Sequence, residues 1–316
     1  MSIDPSIVLP DNNIPFDHGY FAVDAGHQLY FEQHGQPHAP AAIVLHGGPG
    51  SGCRRSMLEW FDLSRQRVIL LDQRGAGKST PSGSTMHNRT ADLVEDIERL
   101  RIALGITDWL VVGGSWGATL ALTYAGRYPE ALRGMVLRGA FLASQRELNW
   151  FFQSLRALVP QGWARLTAGW SAEQRLAVLQ TLTGLLQDGT SDQRTDTALR
   201  WAEYEDAVMQ LMMGASESHV PPLAENAIAK YALQAHYLSQ SCFTSERAVL
   251  RCARRAAHIP TIVIHGTHDF VCPPENAMRL MRFMPQAKLR WIAKGTHTPA
   301  DPAIAEALMR AISDLT

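Results

Sequence analysis

The chain has 316 residues, 46% of them hydrophobic and 19% charged, which supplies apolar mass for a sizeable core in one large domain or a domain with an insertion. A formal net charge of −1 lacks the basic excess that a nucleic-acid or anionic-membrane partner would call for. The four cysteines, Cys53, Cys242, Cys252 and Cys272, form no C-x-x-C pair, so a zinc ribbon or disulfide framework is not expected and a reducing compartment is. Asp4, Pro5, Pro10 and Asp11 interrupt the place where a signal peptide needs an apolar stretch, and no run approaches a membrane span. Cytoplasm is therefore the expected location.

In chain order, short β-rich runs fall at 20–23, 29–33, 41–45 and 68–71, and the last two are continuous apolar runs of the kind buried on both faces. Within 90–105, Leu93, Ile97, Leu100 and Leu104 recur at helical spacing, with Thr90 as N-cap and Gly105 as stop. A buried strand at 109–112 leads into Gly113-Gly114-Ser115-Trp116-Gly117, a helix to about Tyr128 ended by Pro129, and a strand at 135–137. Strand and helix alternating in this way predict a mostly parallel sheet with helices on both faces. From 141 to 257 the pattern turns aromatic-rich and helical. Alternation resumes with a strand at 261–265, a helix near 276–283, a strand at 289–292 and a closing helix capped by Asp301 and Pro302, with Ile304, Leu308, Ile312 and Leu315 inward. The expected architecture is an α/β core of residues 1–140 and 258–316 with an inserted helical cap at 141–257.

Gly113-x-Ser115-x-Gly117 between a buried strand and a helix has the context of a nucleophile elbow, where a strained turn lifts the serine hydroxyl above the sheet. In the fold that uses this elbow the acid and then the base follow the serine along the chain. Asp269 follows the 261–265 strand, and His297 lies between the 289–292 strand and the last helix, so Ser115, Asp269 and His297 are the candidate catalytic residues. Asp301 competes as acid, but its role as helix cap already accounts for it. His46-Gly47-Gly48-Pro49-Gly50 follows the 41–45 strand and can present preset backbone donors. The expected oxyanion hole is the N–H of Gly48 with that of Trp116, and Gly47 is the alternative first donor. His265, His268 and Asp269 do not make a metal cluster, since no helix puts them on one face and no third ligand group is evident. Cys272 is read as packing. No metal or other cofactor is expected.

These segments resemble the proline iminopeptidases, α/β-hydrolases with a helical cap. The resemblance runs from about Ala41 to the C-terminus and rests on His46-Gly-Gly-Pro-Gly50, Asp72-Gln-Arg-Gly-Ala-Gly-Lys-Ser79, Leu93-Val-Glu-Asp-Ile-Glu-Arg-Leu100, Gly113-Gly-Ser-Trp-Gly117 and Leu137-Arg-Gly139. It implies an α/β-hydrolase fold, a triad of Ser115, Asp269 and His297, and a small peptide, amino-acid amide or ester as substrate. The family's Trp-x-x-Trp-Glu stretch appears as Trp201-Ala-Glu-Tyr204-Glu205, which implies that Glu205 binds the substrate's free amino or imino group. A second family glutamate falls on Gln234, and an aromatic on Leu238, where the terminal residue of the substrate would sit. Phe141 and Phe152 are candidates for the apolar wall. Three readings stay open: release of N-terminal proline through an acyl-enzyme; an amidase, esterase or acyltransferase with altered specificity; and a receptor reusing the fold without catalysis.

Overall fold

A computed structural model describes residues 14–214 and 226–316. Its sheet has eight strands: β1 (Asp17–Ala22), β2 (Gln28–Gly35), β3 (Ala41–Leu45), β4 (Arg67–Leu71), β5 (Trp109–Gly114), β6 (Leu132–Arg138), β7 (Thr261–Gly266) and β8 (Lys288–Ile292). They lie in the order β1-β2-β4-β3-β5-β6-β7-β8. The β1–β2 and β2–β4 pairings are antiparallel and the rest are parallel. Each of the eight strand segments expected from the sequence forms.

The central strands are apolar throughout because both faces are covered. Ile43, Ile69, Val111, Leu137 and Val263 point into one core layer, and the alternate residues Val44, Leu70, Val112, Val136 and Ile264 into the other. Helices α1 (Thr90–Ala103) and α2 (Trp116–Arg127) cover the first face.

Between β6 and β7 the described residues form helices and no strand. These are α3 (Gln145–Asn149), α4 (Pro160–Leu166), α5 (Ala172–Leu176), α6 (Val178–Asp188), α7 (Ser191–Met213), α8 (Ala227–Ser239) and α9 (Glu246–Arg255). The last of them returns to the sheet layer. A Cβ on Gly126 of α2 would lie 2.4 Å from that of Cys252 on α9, so the two helices touch across a glycine. Then α10 (Glu275–Met281) precedes β8, and α11 (Pro302–Asp314) buries Ile304, Leu308 and Ile312 against the second face.

One local expectation is corrected. Arg89, not Thr90, is the N-cap residue of α1, and its backbone N–H is met by Asp92 at 2.9 Å. Thr90 spends its hydroxyl on the carbonyl of Cys242, a long-range contact that outweighs the local one. Leu315, just past the end of α11, is partly buried and packs inward against the same layer as Ile304, Leu308 and Ile312.

Candidate active site

The carboxyl ends of the parallel strands β5 to β8 carry the site, as open α/β sheets favour. Ser115 stands between β5 and α2 with φ 57° and ψ −123°, a conformation costing about 1–3 kcal/mol that the surroundings must hold. Its N–H donates to the carbonyl of Arg138 at 2.9 Å. The flanking glycines are steric requirements: a Cβ on Gly113 would stand 2.3 Å from the oxygen of Gly117, and one on Gly117 2.0 Å from that of Leu45.

His297 Nδ1 lies 2.7 Å from Asp269 Oδ2. The other carboxylate oxygen of Asp269 accepts from the N–H groups of Val271 (3.1 Å) and Cys272 (2.8 Å). Burial pushes the pKa of Asp269 up, but His297, His265 and the Cys272 N–H outweigh it and hold the carboxyl below its usual range. Asp269 thus stays ionised beside the imidazole. Arg138 donates to the carbonyl of His297, fixing the loop from the other side. Gly139, at φ +54°, leaves the room the pair needs; a Cβ there would come within 3.0 Å of the His297 ring and 3.1 Å of Asp269. His265 is buried and engaged with Cys272 O at 2.9 Å and Ala140 N at 3.3 Å. Asp301 accepts from Ala303 N at 3.0 Å and Thr296 N at 2.9 Å, so it caps α11 and ties down the loop that carries His297.

Ser115 and His297 open onto a cavity of about 670 Å³ whose wall also includes Gly48, Phe141, Phe152, Glu205, Gln234 and Leu238. Asp269 sits behind His297, fully buried. The Trp116 side chain lies under the site; its Nε1 donates to Gln73 Oε1 at 2.9 Å. Gln73 in turn donates its N–H to His46 Nε2 (3.1 Å) and its side-chain amide to His46 O (3.0 Å), which ties the glycine loop to the residue after Ser115. Gly47 also lines the cavity, and a Cβ on it would stand 3.5 Å from that of Ser115. Phe152 packs edge-on to Trp201 with centroids 5.6 Å apart, while Thr119 fixes the backbone of Phe141 through its carbonyl at 2.6 Å.

Glu205 is engaged by three donors: Gln234 Nε2 at 2.5 Å, Tyr231 Oη at 2.9 Å and Lys230 Nζ at 3.1 Å. Reasoning from sequence missed Lys230 and Tyr231 here. The available signal was their spacing with Gln234 on one helix, since residues three and four apart share a face. Gln73 and Arg138 sat within the motifs singled out but carried no role. Glu147, buried on the cavity wall, was also missed; it accepts from Leu142 N and Ser144 N and so shapes the turn after Phe141.

Residues 40–301 match the family of the alpha/beta hydrolase fold. The chain is 41% identical over 299 residues to a proline iminopeptidase of Xylella fastidiosa (strain 9a5c), covering 93% of this chain and 95% of that one. It is 38% identical to a proline iminopeptidase of Xanthomonas citri, with 94% and 96% covered. Among solved structures it is similar to a proline iminopeptidase-related protein from Thermus thermophilus, at TM-score 0.57 and 24% identity, covering 95% of this chain and 98% of that one, a likeness of fold. None of the described helices is long and apolar enough to cross a membrane. With its fold, elbow and sequence relatives in agreement, the chain belongs to the proline iminopeptidase family of α/β-hydrolases.

Proposed function

We propose that this enzyme releases an N-terminal proline or a similar small residue from short peptides or amides through an acyl-enzyme. The observation that carries the reading is Ser115 on its strained elbow sharing one cavity wall with a histidine bonded to a buried carboxylate. His297 Nε2 takes the Ser115 hydroxyl proton as Oγ attacks the scissile carbonyl. The carbonyl oxygen gathers negative charge opposite the backbone N–H groups of Gly48, or Gly47, and Trp116. Collapse expels the amine, which receives the proton from His297. Water then repeats the sequence on the ester, its proton passing through His297 to Ser115 and its oxygen leaving with the acid.

Residues 141–257 act in this reading as a cap over Ser115, with α9 as the segment that re-enters the core. Phe141, Phe152 and Leu238 form the apolar wall against a small ring, and Glu205 with Gln234 marks the end where the substrate's nitrogen sits. A cavity closed in this way favours short substrates, and the location is cytoplasmic. A second reading, an amidase, esterase or acyltransferase on a related small molecule, is favoured by the amide at Gln234 and the aliphatic Leu238. Kinetics on prolyl, alanyl and N-acylated amides and esters separate the two. The first reading expects prolyl amides to lead and N-acetylprolyl amides to lag far behind; equal rates for free and N-acylated substrates would remove it.

A further inference from the structure

At the nitrogen-binding end of the cavity Glu205 is already paired without a substrate. Glu205 on α7 brings one negative charge, and Lys230 on α8 answers it at 3.1 Å. The Lys230 ammonium also meets Tyr231 Oη at 3.1 Å and lies over that ring at 4.3 Å from its centroid. Tyr231 donates to the same carboxylate oxygen as Lys230, while Gln234 donates to the other. What this cluster leaves unused is an acceptor. Gln234 is 5% exposed, and its Oε1 is buried with no hydrogen-bond partner. Its orientation follows from Glu205: turning the amide over would set Oε1 against a carboxylate, so the NH2 faces Glu205 and the oxygen is left without a donor. A buried acceptor without a donor carries a desolvation cost, which a substrate N–H can recover.

We infer that Lys230 is this pocket's own cation, a specificity-determining residue that makes the enzyme take its substrate's nitrogen uncharged, as an N–H donor to Gln234. The inference deepens the proposed function and rests on it. The chemical class is an acyl group bearing a neutral amine N–H beside the scissile carbonyl: the free base of an amino-terminal residue, not its ammonium form. A cation entering here would meet a carboxylate already paired and a lysine of like charge.

The test compares L-prolyl p-nitroanilide with cyclopentanecarbonyl p-nitroanilide, which replaces the ring N–H by CH2. The ratio of their kcat/KM values isolates the nitrogen. Any effect of pH on the chemical step itself acts on both compounds and divides out. Asp206 lies near Tyr231 on the same pair of helices, and the cavity wall also carries Arg54, Glu59, Arg138, Glu147, Cys272 and His297. An α-amine titrates near pH 8, so for the wild type the prolyl-to-cyclopentane ratio should climb about tenfold per pH unit below that point and level off above it. Lys230→Met should raise the ratio at pH 6.5 on the order of tenfold, as Glu205 becomes free to pair with an ammonium, and should flatten or reverse its rise with pH. Gln234→Leu should lower the wild-type plateau above pH 8. A wild-type ratio that is flat or falls with pH overturns the inference, and this arm needs no variant to fold. So does a Lys230→Met ratio equal to wild type. Turnover of both anilides with a flat ratio overturns the role of Lys230 alone, whereas turnover of neither overturns the proposed function with it.

Discussion

The two ends of the cavity are held in different ways. At the Ser115 end the main chain does the holding: Ser115 N bonds Arg138 O, Asp269 accepts from two backbone N–H groups, and the His297 carbonyl is tied to Arg138. At the Glu205 end the bonds run from side chain to side chain between two helices, α7 and α8. The first arrangement changes only if the sheet's edge is rebuilt. The second can be rewritten by one or two substitutions while both helices stay in place. On the proposed reading, reaction chemistry rests on the strand ends and substrate choice on the helices between β6 and β7.

Variants at the two ends should differ accordingly. The largest effect belongs to Ser115→Ala, with kcat lower by a factor on the order of 10⁶ and His297→Ala similar, while Asp269→Asn loses about 10⁴. Steady-state and active-site-titrated rates check this, and a Ser115 variant keeping more than about a tenth of wild-type activity breaks the assignment. Next comes Gly139→Ala, whose new Cβ presses on the His297–Asp269 pair. We expect kcat to fall by about 10², with the fold destabilised by about 1–3 kcal/mol in urea titrations. At the other end, Glu205→Gln leaves Lys230 uncompensated and should cost amino substrates about 1.5–3 kcal/mol in kcat/KM, with little change for substrates lacking the nitrogen. Smallest is Gln234→Glu combined with Leu238→Phe. It returns a second carboxylate and an aromatic wall and should shift kcat/KM toward prolyl substrates by about tenfold. No gain from that pair, in an enzyme whose best substrate is already a prolyl arylamide, would mean that these two positions do not set specificity.

The same contrast governs what could be read from the sequence. The eight strands and the order of Ser115, Asp269 and His297 are legible because buried parallel strands leave continuous apolar runs and each candidate follows one of them. The edge strand β1 begins at Asp17, ahead of its apolar run, because most of its residues are exposed and none is buried. Thr90 misleads because its hydroxyl reaches Cys242 far along the chain. Lys230 looks like an ordinary solvated helix charge until α8 is laid beside α7. Arg138 likewise follows an apolar strand without showing that it will hold His297. Such roles come from tertiary pairing, which local spacing does not encode.

Covalent labelling tests the central claim most directly. A fluorophosphonate probe reacts with a serine only when a base takes its proton and preset donors receive the developing charge. Peptide mass spectrometry of the inactivated enzyme should place one phosphonyl group per chain on Ser115, with loss of activity in step with labelling and no adduct in His297→Ala. Full inactivation with the group on another residue, or an active enzyme whose Ser115 stays unmodified at saturating probe, would contradict it.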